Sequence, residues 1–228
     1  MAFVIRRFYV NNFRCLENFQ LPVADHPSML LIGKNGSGKT TVGRALEILQ
    51  SIGRGTNRVG ELVKTKDFAC GRTEVPIRFE IDVVLAGKTY SYLIAFELPA
   101  NFNELRVLEE KFFVDGNLVY GRRMADVHLA RTGKEKEAKF LIDWHMVALP
   151  IVQEQSSLDP LSIFKQWLAH MIILRPMPRL ISGESQSETF KTGFPGHRFC
   201  RLVFWHPCPR AIGIFQNRPV SQTSDARS

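Results

Sequence analysis

The feature that most constrains the fold is the loop Gly33 to Thr40, which reads Gly-Lys-Asn-Gly-Ser-Gly-Lys-Thr. It matches the pattern G-x-x-x-x-G-K-[ST] at every fixed position. The continuous apolar run from Ser28 to Ile32 precedes it and predicts a strand buried on both faces of a mainly parallel sheet. After Lys39, apolar residues fall at helical spacing and predict a helix to about Ser51. Strand, glycine loop and helix therefore follow in the order that an α/β fold of this kind requires.

The residue types in this loop indicate phosphate binding. Glycines let successive backbone N–H groups point at an anion, and the following helix adds its positive N-terminal dipole. The motif predicts that Lys39 reaches the β- and γ-phosphates of ATP and that the Thr40 hydroxyl ligates Mg²⁺. Thr41 is expected to donate to the α-phosphate region. The predicted nucleotide ligands in this segment are Gly33, Lys34, Asn35, Gly36, Ser37, Gly38, Lys39, Thr40 and Thr41.

Extended segments flank the loop and follow it. Alternation in the first ten residues, continued by Phe13, Leu16 and Phe19, predicts two short strands of a hairpin. The segment 53–74 is rich in Gly, Arg, Lys and Thr and is expected to form a mobile surface insertion. An antiparallel meander is then predicted from four runs: Val75 to Leu85, Thr89 to Leu98, Leu105 to Val114 and Leu118 to Tyr120.

The last third of the chain changes character. A helix is predicted from Pro160 to about His170, because Pro suits a first turn after Asp159, and Met171 to Leu174 is expected to be a buried strand. Residues 193–228 contain four prolines, no Lys and no Glu. They form an irregular basic tail, for which we consider a shifted reading frame or chimeric boundary and, alternatively, a disordered native tail.

Composition narrows the functional classes. The 228 residues are 45% hydrophobic, which is enough to fill one domain core. Four scattered cysteines, Cys15, Cys70, Cys200 and Cys208, lack C-x-x-C spacing and are expected to be free thiols. The formal charge is +8, but five arginines and one acid place +4 of it in the tail. With no signal peptide or apolar membrane span in the sequence, a cytoplasmic location is expected.

Two segments together resemble a known family. Val10-Asn11-Asn12-Phe13-Arg14-Cys15-Leu16 and the run Leu31 to Thr40 resemble the ABC-like ATPase heads of RecF, SMC and OLD-type proteins, often described as AAA-family ATP-binding proteins. The resemblance implies a P-loop NTPase with an antiparallel β meander, extends to about residue 190, and defines 1–192 as the N-terminal part of a head. It also implies that Arg14 lies beside the nucleotide; a surface arginine on an edge strand is the alternative.

The chain departs from that family in its second half. A complete head has a signature motif, a Walker B strand ending in Asp-Glu and a switch histidine, and none is assigned here, so the chain is expected to be truncated and its catalytic residues are unknown. Phe140 to Asp143 is too short and too early for a Walker B, and Asp82 lies in a meander strand and is expected to face solvent. Gln153 and Gln155 are both candidates for the metal-contacting glutamine that the resemblance implies.

The resemblance also implies a function for a full-length relative. ATP binding and hydrolysis would drive closure of a head-to-head dimer and would be coupled to DNA or to a nuclease-like effector. For this chain, hydrolysis is expected to be near background because it needs a carboxylate that polarises water. The alternatives are a fragment of an ABC transporter ATPase subunit and a non-enzymatic DNA-binding scaffold.

Overall fold

One antiparallel sheet of eight strands organises the described part of the chain. A computed structural model describes residues 4–21, 23, 30–130, 138–153 and 159–174. The sheet order is β2-β1-β3-β4-β5-β6-β7-β8, and every neighbouring pair is antiparallel. The strands are β1 Val4–Asn11, β2 Phe19–Leu21, β3 Ile77–Leu85, β4 Lys88–Glu97, β5 Arg106–Val114, β6 Asn117–Arg123, β7 Asp126–Leu129 and β8 Ala138–Leu141; the helices are α1 Lys39–Gly53, α2 Val59–Leu62 and α3 Pro160–Ala169.

The predicted hairpin and meander are confirmed, and the meander is longer than the sequence pattern indicated. β1 pairs with β2, while β3 to β6 follow the four predicted runs and β7 and β8 extend them. The turns Ala86-Gly87 and Asp115-Gly116 both have two consecutive residues with positive φ. Two such residues match the right-handed twist of the strands they join, so these turns fix the strand register.

Strand alternation places the core on one face of the sheet. In β3 the residues Ile77, Phe79, Ile81, Val83 and Leu85 are all fully buried. The opposite face of the same strands carries alternating charges, in which Arg78 pairs with Glu80 and with Glu109 at 2.5 Å each. One face is therefore committed to packing, while the other is an ion-paired polar surface.

Two helices pack together over this core. Phe164 of α3 is fully buried, and its ring centroid lies 4.9 Å from that of Phe112 and 5.7 Å from that of Tyr92. Burying a side chain of this size contributes roughly 1.5–3 kcal/mol. The predicted helices are confirmed: α1 begins at Lys39, and α3 begins after Asp159, whose Oδ1 accepts a hydrogen bond from the Leu161 amide at 2.9 Å.

α1 and α3 are in close contact at Gly53. A Cβ atom placed on Gly53 would lie 2.6 Å from Leu168 Cβ and 2.8 Å from the Ala169 amide nitrogen. Around this contact, Gln50 Nε2 donates to the Met171 carbonyl and Arg54 Nε donates to the Ala169 carbonyl. The end of α1 that is distant from the glycine loop is thus fixed against α3.

A buried ionic cluster, formed by Glu110, Arg122, Tyr92 and Tyr120, joins the sheet to the segment 143–149. Glu110 is fully buried and accepts hydrogen bonds from both tyrosine hydroxyls and from the Ala148 and Leu149 amides, all within 2.7–2.9 Å. Arg122 lies 3.9 Å from Glu110 and donates to the carbonyls of Met124, Asp143 and Met146. Because each charged group has several partners, the cluster avoids the cost of an unpaired buried charge.

The segment 53–74 differs from its prediction. It contains α2 and two short 3-10 turns, 65–67 and 69–71, and it buries Val59, Leu62, Val63 and Phe68. Distant backbone groups hold it, because the Val59 amide donates to the His145 carbonyl at 2.9 Å and the Val147 amide donates to the Asn57 carbonyl at 2.7 Å. The predicted mobile surface insertion is wrong, since these bonds connect residues that no local pattern links.

Two predicted buried strands are also wrong. Leu30 to Ile32 have no strand structure, and Leu30 and Ile32 are 77% and 84% exposed; Ser28 and Met29 lie outside the described residues. Met171 to Leu174 form no strand either, and Ile172 and Leu174 are exposed. A buried parallel strand needs a neighbour on each side, and all the described strands pair antiparallel within one sheet.

The remaining expectations concern the limits of the chain. The described residues up to Ile173 belong to one compact unit, and the predicted boundary near 192, the tail 193–228, Cys200 and Cys208 lie outside the described residues. Cys15 and Cys70 are free and exposed, as predicted. Within the described ranges, no helix is both long and apolar enough to cross a bilayer.

Candidate functional site

The loop Gly33 to Thr40 has the backbone conformation that its glycines allow. Gly36 and Gly38 have φ values of 82° and 86°, in the left-handed region that side chains rarely adopt. A Cβ on Gly33 would lie 3.0 Å from Ser37 Oγ, so this glycine permits a close approach within the loop. The loop side chains are mostly exposed, so the loop forms an open, tightly curved backbone at the surface.

Lys39 lies across this loop. Its Nζ donates to the carbonyls of Gly33 at 2.6 Å and Lys34 at 2.7 Å, and to Ser37 Oγ at 3.2 Å. An ammonium group has three donors, so these contacts hold it over the first residues of the loop. The arrangement places one positive charge inside the curve of the backbone.

The start of α1 adds unpaired donors next to this charge. The residue before the helix is Gly38, which has no side chain to cap the first turn, and its carbonyl accepts from the Val42 amide at 2.9 Å. The first backbone N–H groups of a helix have no partner within it and carry a partial positive charge. No acidic residue lies in the first turn of α1. The site therefore fits an anion with several oxygens, such as a polyphosphate.

The turn Phe13 to Leu16 lies against the same end of α1. The Phe13 amide donates to the Leu16 carbonyl at 3.0 Å, and the Leu16 amide donates to the Phe13 carbonyl at 2.8 Å. Cys15 Sγ lies 3.3 Å from Thr41 Oγ1. A Cβ on Gly38 would be 3.4 Å from both Cys15 Sγ and Leu16 Cδ2. The two segments on which the family resemblance was based are thus brought into contact.

Arg14 has a different environment from its neighbour Cys15. Its Nε donates to Asp67 Oδ1 at 2.7 Å, and its amide donates to the Asp67 carbonyl at 2.6 Å. Arg14 is exposed at the surface, as the alternative has it, but it lies in a turn with φ 55° after β1 has ended and not on an edge strand. Its expected position beside the nucleotide stays a prediction.

Asp67 is a residue that sequence reasoning missed. It is buried, and its second carboxylate oxygen accepts from the Lys64 amide at 3.0 Å. The pair with Arg14 joins residues 53 positions apart, and no spacing rule connects them. The segment 53–74 contains three acidic residues, Glu61, Asp67 and Glu74, and nothing in the sequence distinguishes the buried one, which needs a cation or several donors.

Two of the weaker candidates for metal or catalytic roles, Asp82 and Asp143, make local contacts. Asp82 lies in β3, on the face opposite the core, 3.7 Å from Arg7. Asp143 follows the edge strand β8, and its Oδ1 accepts from the His145 amide at 2.8 Å. Gln153 is exposed, and Gln155 lies outside the described residues. Across the described ranges, no three His, Cys, Asp or Glu side chains converge as a metal site.

Comparisons with known proteins identify the family. The sequence profile described as "AAA ATPase domain" matches residues 4–143. Among solved structures, the chain is similar to the recombination mediator protein RecF with ATP in the RecFOR pathway, at 19% identity and a TM-score of 0.32. That match covers 51% of this chain and 28% of the RecF chain. No curated protein sequence gives a significant match.

The profile match covers more than half of the sequence and includes β1, the glycine loop, α1 and the meander. It confirms the predicted resemblance to AAA-family ATP-binding proteins, and membership of that family implies nucleotide binding. The chain belongs to the AAA ATPase domain family.

Proposed function

We propose that this chain binds ATP with Mg²⁺ at the loop Gly33 to Thr40. Lys39 would contact the β- and γ-phosphates, the Thr40 hydroxyl would hold the metal together with phosphate oxygens, and Thr41 would contact the α-phosphate region. Magnesium in such sites is commonly bound by few protein groups and by the phosphates themselves. The bound metal would neutralise charge on the phosphate oxygens.

The observation that carries this proposal is the position of the Lys39 ammonium. It is held by three oxygens of its own loop, next to helix N–H groups that have no intrahelical partner. The ammonium group and the helix N–H groups both attract an anion such as a phosphate, because each carries positive charge and the glycines have no side chains that would block its approach. Neither feature contributes to the hydrophobic core, so a purely structural role does not explain them.

Calorimetry of ATP binding in the presence of Mg²⁺ tests the proposal. The Lys39→Ala variant should bind at least roughly 30-fold more weakly than the parent, since it loses charge-assisted contacts to the phosphates. Lys88→Ala is the matched control, because Lys88 is an exposed lysine at the start of β4 and lies outside the glycine loop. Equal ATP affinity for the parent and for Lys39→Ala would contradict the proposal.

Hydrolysis is a separate part of the proposal. We expect steady-state phosphate release near background, because the acidic residues suggested by sequence, Asp82 and Asp143, are paired with Arg7 and with the His145 amide. Cleavage would need a carboxylate that orients water at the γ-phosphate. Phosphate release that is well above background in the parent and lost in Lys39→Ala would show that a catalytic group has been overlooked.

Coupling to DNA or to a nuclease-like effector, and head-to-head dimerisation, are the finer parts of the proposal. The alternative of a DNA-binding scaffold is not favoured by three arginines of the sheet, Arg7 in β1, Arg78 in β3 and Arg106 in β5, because each is paired with an acid. A salt series of DNA affinity tests this, since its slope reports the number of neutralised phosphates. A steep slope that is independent of ATP would favour the scaffold.

A further inference from the structure

The contact between Cys15 and Thr41 gives the N-terminal turn a direct connection to the proposed ATP site. The Cys15 thiol donates to the Thr41 hydroxyl oxygen at 3.3 Å. A hydroxyl group has one proton and two acceptor lone pairs. When its oxygen accepts from the thiol, the proton of Thr41 points away from Cys15 and is available for another acceptor.

Several bonds fix the thiol in this place. Cys15 lies between Arg14, which is paired with Asp67, and Leu16, which exchanges two backbone hydrogen bonds with Phe13. Phe13 is fully buried, and its ring centroid lies 5.2 Å from that of Phe79 in β3. The exposed thiol is therefore held on a turn whose neighbouring residues are anchored in the core.

The same turn also restricts the loop. Cys15 Sγ and Leu16 Cδ2 both approach within 3.4 Å of the position that a Cβ would take on Gly38. Gly38 is the residue immediately before α1 and has φ 86°. Two independent contacts, one at Gly38 and one at Thr41, thus bring Cys15 to the first turn of α1.

We propose that Cys15 is a positioning residue, which directs the Thr41 hydroxyl proton toward the α-phosphate of bound ATP. This inference rests on the proposed ATP site. Arg14 then contributes indirectly, because its ion pair with Asp67 holds the turn that carries the thiol. The turn orients the Thr41 hydroxyl, which would contact the phosphate, and the turn itself takes no part in the chemistry.

ATP binding by calorimetry in Mg²⁺ tests this with Cys15→Ala, Cys15→Ser and Thr41→Val. Cys15→Ala should weaken ATP binding roughly 3- to 10-fold, the fold-change expected for one hydrogen bond. Cys15→Ser should restore affinity to within about 2-fold of the parent, because its hydroxyl is also a donor. Rescue by serine separates positioning from a general packing effect.

A double-mutant cycle tests the coupling itself. If Cys15 acts through Thr41, adding Cys15→Ala to Thr41→Val should cause little further loss, since the group being positioned is already absent. Fully additive losses, or parent-like affinity in Cys15→Ala, would overturn the inference. Should Cys15→Ala fold poorly in a melting experiment, the comparison of Cys15→Ser with Thr41→Val still decides it: affinity in Cys15→Ser as low as in Thr41→Val would contradict the proposal.

Cys70→Ala is the matched control. Cys70 is also a free, exposed cysteine, and its contact is with Glu17 at 3.9 Å, so ATP affinity should stay unchanged. The Lys39→Ala variant separates the two proposals. If Lys39→Ala binds ATP like the parent, or the parent binds none, the ATP site itself fails. If Lys39→Ala loses binding while Cys15→Ala keeps it, only the positioning inference fails.

Discussion

The glycine loop and the buried ionic cluster both arrange charge around backbone groups, yet they differ in burial and in how far apart in the sequence their interacting residues lie. In the loop, one exposed ammonium is held by two carbonyls and a hydroxyl within seven residues of chain. In the cluster, a fully buried carboxylate joins four donors from β4, β6 and the segment 143–149. The difference teaches that the stability of this domain lies in the meander, while the loop keeps contacts that a ligand can replace.

The largest effect on stability is expected from Glu110→Ala. Removing this carboxylate leaves Arg122 as a buried charge without its counter-ion, and two amides and two hydroxyls lose their acceptor. The free energy of unfolding should fall by about 3–5 kcal/mol. Urea denaturation measures it, with Glu109→Ala as the control, because Glu109 is a partly exposed neighbour with pairs on the sheet surface. Equal losses for both variants would remove the cluster from its central role.

A smaller loss is expected from Gly53→Ala. Its new methyl group would overlap Leu168 Cβ and the Ala169 amide, so α1 and α3 would have to move apart, at a cost of roughly 1–3 kcal/mol. Gly60→Ala is the control, since Gly60 is within α2 and has no atom within 4 Å of its Cβ position. Thermal melting of both variants gives the comparison. A Gly53→Ala variant as stable as the parent would show that the helices do not depend on this contact.

An alkaline pH series examines the tyrosines of the cluster. Burial, together with the adjacent Glu110, raises the pKa of Tyr120 well above its usual value of 10.0, and Tyr92 behaves alike. Stability is intact below about pH 10 and decreases as the pH rises further, because the unfolded chain then releases protons that the folded chain retains. Tyr120→Phe should lose about 1 kcal/mol at neutral pH and decline less steeply above pH 10. An unchanged alkaline slope would contradict this assignment.

The smallest effect on stability is expected from Lys39→Ala, the variant with the largest expected effect on ATP binding. Its contacts are confined to an exposed loop, so the free energy of unfolding should change by no more than about 0.5 kcal/mol. Urea denaturation without nucleotide measures this. A loss comparable to that of Glu110→Ala would mean that the loop supports the fold, and the contrast between the two regions would not hold.

The sequence predictions were correct where neighbouring residues determine the structure, and they were wrong where residues far apart in the sequence determine it. α1, α3 and the meander could be predicted because helical spacing, capping by Asp159 and strand alternation are local signals. The pairing of Arg14 with Asp67 could not, because it depends on residues 53 positions apart. The segment 53–74 was misassigned for the same reason: hydrogen bonds to His145 and Asn12 hold it in place.

The apolar runs failed for another reason. Leu30 to Ile32 and Met171 to Leu174 have the apolar composition of buried strands. An apolar run forms a buried strand only where other strands pair with it, and its composition does not show whether such strands are present. For the site, the family resemblance rested on the loop and the N-terminal turn together, and the structure shows that the two segments are in contact. It could not show that Cys15, and not Arg14, makes the contact with Thr41.

The close contact at Gly53 determines how a tilt of α1 would move the glycine loop. The helix has 15 residues and is therefore about 22 Å long, with the glycine loop at one end and the contact with α3 at the other. A tilt of roughly 5° about Gly53 would move the loop end by about 2 Å, comparable to the helix shifts seen in switching proteins. Gly53, where α1 meets α3, is thus the point about which such a tilt of the helix would turn.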